Sequence, residues 1–339
     1  MKLLLAPLSL IVDFITSIRN LLFDYQILKS TKFNIPIICV GNLSLGGSGK
    51  TPHVNYIAKK LNQMYDVAII SRGYKRKNNN LLVVEKNSDV IDVGDEPLML
   101  KKKNPEALVI VSGNRKKAIN RVIKNKKNID VIILDDGYQH RWIKAGLNIL
   151  LTPSKKPFYD DYLFPLGKLR ENKKQCKRAD CIIFSNNIEK DEAYFDNIRT
   201  KLSLVYKKNS FFSSVIYNKP IHLFSNEILN KLDDKNIILI TGIADSSNLE
   251  NYLNKKSNID RHFKFKDHHN YTKNDVMNIL SYFKSIKKLK TLILTTEKDS
   301  VKLLQFKGIL KDIEIFYIPI DIVINEKFDE KLLNYVSTN

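Results

Sequence analysis

The chain has 339 residues, 43% of them hydrophobic, which is ordinary for a globular protein able to bury a substantial core in two domains or one large one. Its formal charge of +20 calls for an anionic partner such as nucleic acid, a membrane face or a phosphorylated substrate, although Lys scattered among Asn and Ile is equally a compositional bias. Cys39, Cys176 and Cys181 form no CxxC pair, which excludes a disulfide-built scaffold and fits a reduced cytosolic protein without a zinc site.

Residues 1–30 open on an apolar run that Asp13 cuts short of the roughly 18 residues a membrane span needs, and no small-residue cleavage site follows. Leu4, Leu8, Ile11, Ile15, Ile18 and Leu22 recur at helical spacing, with Lys2, Asp13, Arg19 and Asp24 for a polar side. The spacing predicts an amphipathic helix that packs on the core or lies in a membrane interface.

The apolar run Ile37 to Val40 leads into Gly41-Asn42-Leu43-Ser44-Leu45-Gly46-Gly47-Ser48-Gly49-Lys50-Thr51-Pro52 and then a helical pattern. A strand, a glycine loop and a helix start in that order form a phosphate cradle: backbone N–H groups and the helix dipole face the oxygens, and Lys50 reaches the β- and γ-phosphates. Thr51 offers a hydroxyl to Mg²⁺. Ser44 stands where the P-loop pattern asks for Gly, and Gly46, Gly47, Ser48 and Gly49 crowd the loop instead.

Further short apolar runs follow at 67–70, 108–111, 131–134, 148–151 and 181–184, most of them separated by helical patterns. That alternation predicts an α/β fold, a P-loop NTPase core with a mostly parallel sheet and ligands at the carboxyl ends of its strands. Around 211–224 the pattern changes to short alternating segments, read as a β hinge. Runs at 237–240 and 291–294 predict a smaller C-terminal α/β domain over 225–339, leaving the core at 31–210.

Polar clusters follow several of these strands. Asp135-Asp136 ends an apolar strand where a P-loop enzyme keeps its metal-orienting acid, and continues into Gly137-Tyr138-Gln139-His140. Asp95-Glu96 sits in a turn before a helix; one carboxylate could take a proton while the other faces the metal, and a helix cap is the competing account. Asp267-His268-His269 gathers two of six histidines beside an acid, a proton-handling rather than zinc arrangement. Lys168 and Arg170 flank a glycine turn and could hold a phosphate on an acceptor.

With Ser71-Arg72-Gly73-Tyr74, Gly167-Lys168-Leu169-Arg170-Glu171 and Thr295-Thr296-Glu297-Lys298-Asp299, these segments resemble the tetraacyldisaccharide 4′-kinase (lipid A 4′-kinase) family in order and over nearly the whole chain. The resemblance implies transfer of the ATP γ-phosphate to the 4′-hydroxyl of a tetraacylated glucosamine disaccharide 1-phosphate, giving lipid IVA at the cytoplasmic face of the Gram-negative inner membrane. It implies ATP between two domains, Lys50 on the phosphates, Thr51 with Asp136 and Glu96 on Mg²⁺, and Asp95 as base with His268 adjusting it across the cleft. It places Arg170 and Glu171 at the head group, with Gln139, His140 and Tyr74 among the substrate-binding residues, in a peripheral, monomeric enzyme that takes no nucleic acid. A P-loop regulatory or metal-delivery NTPase is the second reading, and it leaves Asp267-His268-His269 unexplained.

Overall fold

The computed structural model describes residues 2–124, 128–185, 192–286 and 290–339. The chain lays down strands β1 (Ile37–Asn42), β2 (Val67–Ser71), β3 (Leu82–Val83), β4 (Leu108–Val111), β5 (Val131–Asp135), β6 (Leu147–Pro153), β7 (Cys181–Ser185) and β8 (Asn209–Tyr217). It then crosses to a second sheet for β9 (Ile221–His222), β10 (Asn236–Thr241), β11 (Asn258–Lys264), β12 (Thr291–Thr296) and β13 (Ile315–Ile318), and returns for β14 (Ile320–Ile324). Among the described residues the large sheet runs β14-β8-β7-β6-β1-β5-β2-β4-β3 and the small one β11-β10-β12-β13-β9. Within the large sheet only the edge strands β3 and β14 pair antiparallel.

The continuous apolar runs are explained by burial on both faces. Ile38, Val40, Ile69, Val109 and Ile133 face one layer, with Val54, Ile57 and Leu61 of the helix Lys50–Leu61 packed against them. Ile37, Ala68, Ile70, Ile110 and Ile132 face the other, covered by Ala118, Ile119 and Val122 of the helix Arg115–Lys124. Register then positions the loops. Val40 pairs with Asp135, so the loops leaving β1 and β5 emerge side by side at the carboxyl edge.

Two boundaries differ from those expected. The segment 211–217 is part of β8, inside the large sheet, and the chain crosses between sheets only at 218–220 and at Pro319. There, Asn218 N donates to the Pro319 carbonyl at 2.9 Å. The smaller domain also ends earlier than residue 339. After Ile318 the chain returns to the large sheet, and Phe328, Leu332 and Val336 of the helix Glu326–Ser337 are buried in its core. Spacing by four puts those three side chains on one stripe of the helix, which the apolar core of the large sheet covers.

The helix Lys2–Asp24 is amphipathic with its faces reversed. Its polar side binds the protein: the Ser9 hydroxyl meets the Leu163 carbonyl, Asn172 donates to Asp13, Asn20 donates to Glu171, and Arg141 pairs with Asp24. Leu8, Leu10, Ile11, Phe14, Ile15, Ile18 and Leu21 are exposed. By length and composition, residues Leu5–Asp24 could cross a membrane, which the interruption at Asp13 had argued against.

Candidate active site

The glycine loop after β1 is braced from three sides. Leu45 N donates to the Lys168 carbonyl at 2.6 Å and Arg170 N to the Leu43 carbonyl at 2.7 Å, so the acceptor-motif segment runs alongside the loop. The Ser48 hydroxyl accepts from Asn42 Nδ2 at 2.8 Å, and Ser185 Oγ donates to the Ser48 carbonyl. Gly49 adopts φ +75°, a left-handed turn that lets the helix Lys50–Leu61 begin at once, and its carbonyl meets His53 Nδ1 at 2.7 Å. A side chain on Gly47 would come within 3.1 Å of Ala244, which belongs to the small domain. Both domains therefore close on the cradle.

Lys50 opens that helix, with Nζ 3.7 Å from Asp136 Oδ1. Asp136 turns through φ +49°, and Arg115 holds the turn by donating to the carbonyls of Asp135 and Asp136 at 2.8 and 2.7 Å. Left-handed backbone at a non-glycine residue is strain stored where the surroundings over-determine it. Asp135 points inward and accepts from Ser71 Oγ at 2.9 Å. Burial, with the nearby charges of Glu96 and Asp136, pushes its carboxyl up to about 7. Burial also opposes ionisation of Asp136, but Lys50, Arg170 and Arg115 outweigh it and hold that carboxyl low.

Facing this edge across the domain boundary is a charged cluster. The helix Asp95–Lys103 starts after Gly94, whose φ of +91° turns the chain, and Asp95 Oδ1 accepts from Glu96 N at 2.9 Å. His268, itself at φ +56°, brings Nδ1 to 3.1 Å from Asp95 Oδ2, while Lys298 Nζ lies 3.1 Å from Nε2. An ammonium can only donate, so Nε2 accepts and Nδ1 carries the proton given to Asp95. Lys298 also reaches Glu96 and Asp267, each at 3.2 Å. Burial would raise the Asp95 carboxyl, but the His268 hydrogen bond and the charge of Lys298 hold it well below the usual carboxylate range. The Tyr74 ring lies 4.8 Å from the His268 ring.

The structure thus brings together Gly46 to Thr51, Asp136 and Arg170 on the core side, and Asp95, Glu96, Tyr74 and His268 at the boundary. Arg170 Nη1 lies 3.3 Å from Asp136 Oδ2 and 3.5 Å from Gln139 Oε1, whose own Nε2 donates to the Asn42 carbonyl. Burial and the charges of Arg115, Arg19 and Arg72 press the His140 imidazole down to about 4, keeping it neutral at pH 7. Glu171 is the exception. It is 1% exposed, and its Oε2 accepts from Arg178 at 2.7 Å and Asn20 at 3.1 Å, so it ties the N-terminal helix to the core instead of facing a substrate. Sequence reasoning gave no role to Lys298, Lys302 or Arg115. The first two lie in or just after Thr295-Thr296-Glu297-Lys298-Asp299, a polar strand end of the kind that supplied the other site residues.

The match to known proteins is continuous. The family model for tetraacyldisaccharide-1-P 4′-kinase, LpxK, covers residues 1–337. The chain belongs to the tetraacyldisaccharide 4′-kinase family. It is similar to the tetraacyldisaccharide 4′-kinase of Flavobacterium psychrophilum, at 37% identity over 99% of this chain and 97% of that protein. The corresponding protein of Bacteroides thetaiotaomicron is 36% identical over 99% of this chain and 93% of its own. The crystal structure described as an apo form of LpxK from Aquifex aeolicus in complex with ATP superposes with a TM-score of 0.78 at 30% identity, covering 99% of both chains. Family and fold agree with the α/β architecture, the kinase class and the place in lipid A biosynthesis expected from the sequence.

Proposed function

We propose that this chain transfers the γ-phosphoryl group of ATP to the 4′-hydroxyl of a tetraacylated glucosamine disaccharide 1-phosphate, giving lipid IVA. The observation that carries the reading is the contact between Asp95 and His268, made across the domain boundary beside a P-loop. A regulatory NTPase has no use for a buried base held by a histidine from a second domain.

The chemistry follows from charge and position. Phosphoryl transfer needs neutralisation of the phosphate oxygens and an aligned acceptor more than covalent help. The N–H groups of Gly46 to Gly49 and the Lys50 ammonium hold the β- and γ-phosphates. Asp95 accepts the 4′-hydroxyl proton; a strongly acidic carboxyl suffices because the loose transition state loads charge on the nucleophile late. His268 Nδ1–H keeps the carboxylate aimed. Arg170, joined to Asp136 and Gln139, turns its remaining donors to the acceptor's head group.

The oxygen donors of Thr51, Asp136 and Glu96 suit Mg²⁺. Such an ion is ordinarily held by one or two protein oxygens together with phosphates and water. Burial of Asp135 beside the charges of Glu96 and Asp136 is the feature of this structure that a divalent cation would relieve. When bound, the ion neutralises charge on the β- and γ-oxygens.

The reversed N-terminal helix supports a peripheral position on the cytoplasmic face of the inner membrane. Its polar groups are already bonded to the body of the protein, so the helix keeps those bonds when it lies in the interface with its apolar face toward lipid, whereas spanning would break them. The basic surface adds attraction to anionic lipid, where the acylated acceptor resides. Incubation with γ-labelled ATP and the disaccharide 1-phosphate tests the reading. Label in the lipid is expected, and ATP hydrolysis with none transferred would favour the NTPase.

A further inference from the structure

The helix Glu297–Leu303 buries an amine for which packing gives no reason. Lys302 is 2% exposed, with Nζ 3.0 Å from Asp299 Oδ1 and 3.5 Å from Asp95 Oδ2, and 5.4 Å from the centroid of the Tyr271 ring. Taking an ammonium out of water carries a desolvation penalty, and an apolar side chain of similar length would fill the same space without it.

Two partners could account for it. Asp299 is fully buried, and its Oδ2 accepts from Gly242 N at 2.8 Å and Thr296 Oγ1 at 2.7 Å. Lys302 could exist only to neutralise it. The other partner is Asp95. One oxygen of that carboxylate is held by Glu96 N, and the other by His268 from one side and Lys302 from another. Lys302 and Asp95 also belong to a larger cross-domain pattern, because Glu96 pairs with Lys298 and Lys103 with Glu297 between the same two helices. The three pairs run antiparallel, and the first of them ends on the base.

We propose that Lys302 is a positioning residue for phosphoryl transfer: anchored on Asp299, its ammonium fixes Asp95 Oδ2 in the orientation that meets the acceptor hydroxyl. This rests on the kinase reading above. Among the described residues the charged and aromatic partners of Lys302 are Asp299, Asp95 and Tyr271, none of them in the P-loop or the acceptor motif, so its effect falls on the orientation of the base and not on binding. A misaimed reacting group costs on the order of 10- to 100-fold in rate.

The test is the double variant Lys302→Met with Asp299→Asn, which removes both charges together and keeps a carbonyl for Gly242 N. Steady-state transfer is measured per mole of protein that binds a fluorescent ATP analogue, beside wild type and Lys302→Met alone. A kcat roughly 10- to 100-fold below wild type in both variants, with KM for ATP and acceptor within about threefold, is the expected result. Wild-type kcat in the double variant would show that Lys302 serves only Asp299 and would overturn the inference. A rise in KM that accounts for the whole loss, or a double variant that binds no nucleotide, would also overturn it. Wild-type protein that labels no acceptor would instead sink the kinase reading itself.

Discussion

Replacing Asp95 by Asn removes the proposed base while keeping the size and shape of the side chain. The carboxylate is 6% exposed and lies against Glu96 N, His268 Nδ1 and Lys302 Nζ. Lys302 keeps Asp299, but the new amide has one accepting oxygen where the carboxylate had two, so either Glu96 N or His268 Nδ1 loses its acceptor. The stability cost is therefore that of one charge-assisted hydrogen bond, about 1.5–3 kcal/mol, which should lower Tm by several degrees without unfolding the chain. Catalysis should suffer far more, since a positioned general base contributes roughly 10²- to 10⁴-fold. KM for ATP should hold, because Asp95 makes no contact with residues 46–51 among those described here. Single-turnover transfer from γ-labelled ATP at saturating acceptor reads the chemical step. A rate within about threefold of wild type, in a variant whose melting curve is intact, would refute the assignment of Asp95 as base.

His53 offers a pH test. It is buried between the Gly49 carbonyl and Ser213 Oγ, and burial lowers its imidazole to about 4. Its unfolded value is near 6.5, so the unfolded chain binds the extra proton first; stability is full above about 6.5 and is lost as the pH falls toward 4, by about 3 kcal/mol. In His53→Gln the drop in urea midpoint between pH 7 and pH 4.5 should shrink, and an unchanged drop would contradict the assignment. Arg170→Ala and Glu171→Ala should separate: the first raises KM for the acceptor with Tm little changed, whereas the second leaves Arg178 without its carboxylate and lowers Tm by several degrees. Equal effects on both measurements would undo that division. Deleting residues 1–25 should abolish sedimentation with vesicles containing anionic phospholipid, and undiminished binding would remove the membrane role of the helix.

The glycine loop, the buried strands and the order of the polar clusters could be read directly because each depends on neighbours in sequence. A strand apolar on both faces announces a covered sheet, and a glycine loop between strand and helix announces a phosphate site, whatever the rest of the chain does. Even the amphipathic helix at the N-terminus was visible from spacing alone. Which of its faces meets the protein was not, since that is decided by Glu171, Asn172 and Arg141, more than 100 residues away.

Tertiary structure settled the pairings. Asp95 and His268 are 173 residues apart, and the packing of the helix Glu297–Leu303 and the loop carrying His268 against the helix Asp95–Lys103 brings them to 3.1 Å. The same packing recruits Lys298, which the sequence placed in a polar strand end without a role, and Lys302, which lies beyond that segment. It also sends the C-terminal helix back to the large sheet, because burial of Phe328, Leu332 and Val336 depends on an apolar face that lies nearly 300 residues upstream. Residue types and local spacing determined what chemistry this chain could carry. The packing of two sheets determined which of those groups meet, because hydrogen bonds and ion pairs act over a few ångströms of space and take no account of distance along the chain.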